Sequence, residues 1–287
     1  MPVQLGRHRV LHPGRWRWAR ALAWLGTLFF LTAAAFGLPL QWAVDRNPED
    51  AGGPMLLAVL AGCLGALGAY ALSVRLGEGR GARELAVRPA AAGLTVGAGL
   101  GLAMMALVMA VLRAGGLYDI TATGAAAAPW AATALAVQAA VTEELWMRAL
   151  LLRLLWRAFG PLPAFLGSAM IFGALHLANP GAGPMAAASV TMAGLLFCAL
   201  YALTGRIWVP IGLHAAWNLA QGYLFGAVVS GGNLGAALAR STPRPTSPTW
   251  LTGGAFGPEA SVVALVVIGV VTAATLLLAL RQGRFHG

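Results

Sequence analysis

The chain has 287 residues, 59% hydrophobic and only 10% charged, with 19 basic against 9 acidic side chains and a net charge of +10. Soluble domains carry about 25% charge, so this composition excludes a soluble enzyme and describes a polytopic membrane protein. Every basic residue in that total is an arginine. The arginines cluster at the ends of apolar segments and form no nucleic-acid motif, which points to a lipid bilayer and away from nucleic acid.

A membrane helix needs about 20 mostly apolar residues. In chain order, spans are predicted over 19–42, 54–75, 91–112, 129–157, 161–178, 184–203, 207–227 and 260–280. The fold class is therefore all-α, a membrane bundle of about eight helices. The first apolar run, Ala21 to Trp42, follows a basic arm and is too long for a signal-peptide core, so it reads as an uncleaved helix. Trp16, Trp18, Trp42, Trp208 and Trp250 fall near segment ends, where interfacial anchors belong. Cys63 and Cys198 lie mid-segment without metal or redox spacing and read as buried apolar groups.

Alternating the spans sorts the charge. Arg7 to Arg20, then Arg75, Arg80, Arg83 and Arg88, then Arg153 and Arg157, then Arg206, then Arg281 and Arg284 all fall on one side. Asp45, Glu49, Asp50, Asp119 and Glu259 fall on the other, with only Arg46, Arg113, Arg240 and Arg244 as basic members. The positive-inside rule then places both termini in the cytoplasm. His8, His12 and His286 sit in basic tails and read as solvated. Residues 121–129 are Ala/Gly/Thr-rich. Residues 228–259 are rich in Gly, Pro, Ser and Thr and read as a flexible external loop without chemistry.

The fourth segment breaks the apolar pattern with Glu143, Glu144 and Arg148. Ionised groups facing lipid cost roughly 2.5–3.5 kcal/mol each, so these must face protein or water. Glu144 and Arg148 are four apart and can pair on one helical face. Glu143 points about 100° away and is free to serve as general base or acid. Phe172 and His176 share a face of the fifth segment, and His214 and Asn218 a face of the seventh. The midpoint of Glu143 and His176 falls at Phe159-Gly160. A turn there puts both at equal depth, whereas His214 lies nearer its own turn at Thr204-Gly205 and is expected several ångströms shallower if both turns lie at one level; tilt or a displaced turn would remove the difference.

Glu143-Glu144-x-x-x-Arg148, Phe172-x-x-x-His176 and His214-x-x-x-Asn218 resemble the three motifs of the CPBP family of intramembrane proteases. That family comprises the type II CAAX prenyl endopeptidases and the bacterial bacteriocin-processing and self-immunity proteins. The likeness spans about residues 129–226, and residues 251–261 resemble a segment preceding the last helix of bacterial members. It implies an endopeptidase in which Glu143 and His176 activate water, His214 and Asn218 stabilise the oxyanion, and Arg148 holds the glutamate pair. It divides the chain into a basic arm (1–18), three N-terminal helices (19–125), a catalytic core of helices four to seven (126–227), an external loop (228–259) and a last helix with a basic tail (260–287).

Glu143, His176 and His214 also make a two-His-one-Glu set, so zinc is a candidate cofactor alongside a metal-free mechanism. The expected partners are a protein or peptide substrate, membrane-associated or prenylated, and the bilayer of a prokaryotic cytoplasmic membrane. Two further readings stand beside the peptidase. One is a non-catalytic scaffold or self-immunity protein on the same fold. The other is a transporter using the buried acids as a proton relay, although no broken-helix pair marks one.

Overall fold

The computed structural model describes residues 3–46, 52–124 and 128–285; Glu49, Asp50, His286 and the expected boundary at 125/126 lie outside them. Helices α1 (Arg17–Arg46) and α2 (Gly53–Ser73) pack together, and α2 continues as a π-helical turn to Glu78. Helix α3 (Ala90–Ala114) leads into strand β1 (Tyr118–Ala122). Helix α4 (Trp130–Glu144) runs through a π-helical stretch, Leu145–Leu152, into α5 (Arg153–Phe159). Helix α6 (Pro161–Leu175) ends in a 3-10 turn, His176–Ala178, and α7 (Pro184–Thr204) follows. Helix α8 (Trp208–Leu219) also ends in a π-helical turn. Strand β2 (Ala239–Pro243), the short α9 (Thr249–Thr252) and α10 (Val262–Arg281) complete the chain.

Six helices among the described residues are long and apolar enough to cross a membrane: Arg17–Trp42, Gly53–Glu78, Ala90–Ala114, Pro161–Ala178, Pro184–Thr204 and Val262–Arg281. Eight were expected. The other two segments are helical too, but α4–α5 carries Glu143, Glu144, Arg148, Arg153 and Arg157, and α8 is only 12 residues long. Both pack among these six helices and supply polar groups to the interior. Helix α7 is the most enclosed of the six spans. Helix α3 presents Gly97 and Gly101 to α8, so close that a side chain there would strike the α8 backbone. Small residues at this spacing let membrane helices approach without a hydrophobic driving force.

The arginine-rich connections gather at one end. Arg9 Nη1 donates to Leu76 O (2.6 Å), Trp208 Nε1 to Ala86 O (2.8 Å), and Trp156 stacks on Phe285. Both chain-terminal segments therefore lie at that end, as the alternation requires. Four of these charged groups form a buried network instead of a solvated loop. Glu78 accepts from Arg153 twice (2.8 and 2.6 Å), from Arg80 Nε (2.8 Å) and from Trp24 Nε1 (2.9 Å). Glu84 accepts two bonds from Arg80 (2.8 and 2.7 Å) and one from the Tyr70 hydroxyl. Burial alone would raise the Glu84 carboxyl, but the Arg80 hydrogen bonds and charge hold it below the usual carboxylate range. Reading Arg80 and Arg153 as positive-inside charges found their side and missed their partners.

The opposite end corrects a second expectation. Residues 228–259 are ordered, and β2 pairs antiparallel with β1, from Tyr118↔Pro243 to Ala122↔Ala239. Pro243 can sit at this position because a two-stranded ribbon leaves an open edge. Arg244 and Arg113 both reach Asp119 (3.0 and 3.7 Å), so these basic exceptions on this side have a local acid.

The depth mismatch of His214 resolves through a displaced turn. Ile207 N donates to Glu84 O (3.3 Å), and the Tyr70 hydroxyl oxygen that meets Glu84 also lies 3.1 Å from Ala149 O. The start of α8 is thus level with Ala149, not with Gly160, and α5 runs on past it. Glu143 lies six residues from Ala149 and His214 seven from Ile207, which brings them to one depth.

Candidate active site

Each candidate side chain is set by its helix. Glu143 and Glu144 close α4, and Arg148 sits in the π-helical stretch that begins at the next residue. Single-turn π segments recur at functional positions; the sequence carries no signal for this one. The expected pair forms: Arg148 Nη1 donates to Glu144 Oε1 at 3.0 Å, with both side chains fully buried. The Arg148 guanidinium also lies 4.7 Å from the ring centroids of both Phe172 and Phe197, in the range of cation–π attraction. Phe172 therefore does more than share a face with His176, whose ring it meets edge-on at 4.6 Å.

The two histidines are oriented by acceptors. His176 Nδ1 lies 2.9 Å from Phe172 O, and His214 Nδ1 lies 3.0 Å from Glu144 Oε1. A carbonyl and a carboxylate only accept, so each Nδ1 carries a proton and Nε2 is the ring nitrogen left to face the site. Both Nε2 atoms turn to one atom. Glu143 Oε2 is 3.8 Å from His214 Nε2 and 4.0 Å from His176 Nε2, and it is buried without a hydrogen-bond partner. Glu144 thus has two duties, pairing Arg148 and orienting His214; the spacing revealed only the first.

These separations are too long for direct hydrogen bonds and leave room for a small third party between acid and imidazoles. The donor types suit zinc. Glu143, His176 and His214 would hold it, although among the described residues no three His, Cys, Asp or Glu side chains lie close enough together to make a ready-formed metal set.

His176, His214 and Asn218 line a cavity of about 50 Å³ with Phe197, Leu213 and Trp217. At roughly 10–15 Å³ per water, such a space takes a few water molecules. Glu259 and Ser230 reach the same cavity. Sequence reasoning left both in an external loop, yet Glu259 is buried. Burial pushes its carboxyl above the usual range, and hydrogen bonds from Ser230 oppose that shift. The signal available was an acid three residues before an apolar helix, which composition alone reads as solvated. Cys63 and Cys198 are free and buried, as expected.

Comparison with known proteins bears on the stretch that holds these residues. No curated protein and no solved structure matches the chain. Residues 125–220 match the family model for type II CAAX prenyl endopeptidase Rce1-like proteins. That stretch is about a third of the chain and contains all six candidate residues, from Glu143 to Asn218. Over that stretch, this membrane protein is similar to the Rce1-like CAAX protease family.

Proposed function

We propose that the protein is an intramembrane endopeptidase that cuts a protein or peptide substrate with water activated by Glu143 and His176. The observation that carries the reading is the convergence of two imidazole Nε2 atoms on the unpartnered Glu143 Oε2. A water between them would give a proton to Glu143 while its oxygen bonds to the scissile carbonyl carbon. Collapse of the tetrahedral adduct breaks the C–N bond, and the proton passes to the departing amine. His214 and Asn218 are assigned to the oxyanion. For this His214 needs a second proton at Nε2, with Glu144 holding the first at Nδ1 and Glu143 close by. Preorganised donors of this kind contribute on the order of 3–4 kcal/mol. No step is routed through a metal. The positive-inside rule assigns the arginine-rich end to the cytoplasm of a prokaryotic cell membrane, and prenylated substrates fall within the proposed class.

The test is cleavage by purified protein in liposomes, with substrate captured on an inactive variant. Glu143→Gln and His176→Ala are each expected to abolish turnover while the fold persists. Full activity in both sinks the reading. Retention of a protective or partner-supporting role by Glu143→Gln in cells would favour the self-immunity or scaffold alternative.

A further inference from the structure

Glu259 is the one buried acid of the cavity that the mechanism leaves without a task. It lies in the 3-10 turn Pro258–Ala260, just before α10, and binds three separate elements. Its Oε1 accepts from both Ser230 N (2.5 Å) and Ser230 Oγ (2.7 Å), in the loop after α8. Its Oε2 accepts from Trp217 Nε1 on α8 (3.4 Å). Its main-chain oxygen accepts from Ser189 Oγ on α7 (2.6 Å). Trp217 immediately precedes Asn218, and all four side chains line the cavity shared with His176 and His214.

Ser230 shows why such a clamp is needed. Its φ is +48°, a left-handed conformation that side chains other than glycine's rarely adopt. Backbone of this kind is strained and persists only where surroundings over-determine it. Here both polar hydrogens of the strained residue end on one buried carboxylate oxygen. The neighbouring backbone is locked from other directions. Gly231 N donates to Phe256 O (2.9 Å), and a side chain at Gly231 would strike the Pro180 carbonyl, four residues beyond His176. A side chain at Gly257 would strike Val228 O. The segments after His176, after α8 and before α10 thus interlock over the cavity.

We propose that Glu259 is a positioning residue: it clamps the strained Ser230 loop and the Trp217–Asn218 face of α8, and so sets the wall of the cavity beside the two histidines. The catalytic part of this role rests on the peptidase reading above; the clamp itself does not.

The experiment combines hydrogen exchange with cleavage, using full-length protein in lipid nanodiscs. Glu259→Ala is expected to speed amide exchange in residues 228–232, leaving α1–α3 as in wild type. It should also lower kcat per folded molecule by about 10- to 100-fold, as small displacements of positioned groups do. Glu259→Gln keeps an acceptor for Ser230 and is expected to restore most of both. Unchanged exchange in Glu259→Ala overturns the proposal, as does faster exchange with wild-type kcat and KM. Should Glu259→Ala not fold, Ser230→Ala takes its place. It removes one of the two bonds and should raise exchange and lower kcat by a smaller factor; wild-type values for both overturn the proposal. Glu143→Gln is the control, expected to lose turnover with no change in exchange. If wild-type protein does not cleave, the peptidase reading fails by itself and the exchange comparison alone decides the clamp.

Discussion

His214 donates its Nδ1 proton to Glu144 and by that bond aims its Nε2 at Glu143, one residue earlier on the same helix. Two adjacent acids therefore act on the two ends of one imidazole. Glu144→Gln should disturb this on two counts. The amide can offer His214 a hydrogen instead of accepting one, and Arg148 loses its counter-charge in a fully buried site. Orienting partners of this kind are worth about 10- to 100-fold in activity. Cleavage kinetics beside thermal unfolding should show kcat and stability falling together in Glu144→Gln, but only kcat falling in Glu143→Gln.

Arg148 is held by shape as well as charge. Its guanidinium lies between Phe172 and Phe197 while pairing with Glu144. Lysine keeps the charge but offers no planar face. Arg148→Lys is expected to lower the unfolding temperature in detergent and to reduce turnover; wild-type values in both would show that charge alone suffices.

The buried network at the arginine-rich end predicts a large stability effect far from the site. Glu78→Ala strips both Arg153 and Arg80 of an acceptor. Breaking one partner of a buried ion pair costs about 3–5 kcal/mol. Chemical unfolding should register a loss of that order, while Arg153→Met combined with Glu78→Leu should recover much of it.

The same network predicts acid sensitivity. Glu84 is held below its ordinary value of 4.5, so it binds fewer protons folded than unfolded near that pH. Its contribution is complete above about 4.5 and is lost as pH falls through the lowered folded value. Arg80, Arg153 and Tyr70 face this carboxyl. Arg80→Gln should flatten that acid limb of stability against pH, read by intrinsic fluorescence.

The metal-free route makes a direct prediction. Dialysis against a strong zinc chelator should leave turnover intact, and purified protein should contain zinc well below one equivalent. Loss of activity restored by added zinc would favour the two-His-one-Glu alternative.

Much of this was legible in the residues. The six spans follow hydropathy to within a few positions because lipid enforces length and apolarity together. Glu144–Arg148 followed from helical spacing, and the Gly160 turn from two prolines after a glycine. What stayed hidden depends on which elements meet. The Ser230–Glu259 bond joins residues 29 apart across a proline-rich stretch. The Glu78–Arg153 bond joins positions 75 apart. The depth of His214 depended on α5 overshooting the start of α8, which no single helix reports.

The ribbon of β1 and β2 has a consequence for the chain as a whole. It brings Ala122 and Ala239 side by side, and Thr123 N adds a bond to Leu238 O (3.1 Å). The polypeptide between these points, which contains every proposed catalytic group, thus leaves and returns at one place, its two ends held by the ribbon. Entry and exit of that stretch are therefore fixed to each other directly, while α3, through Gly97 and Gly101, and the Glu259 turn before α10 hold it from either side.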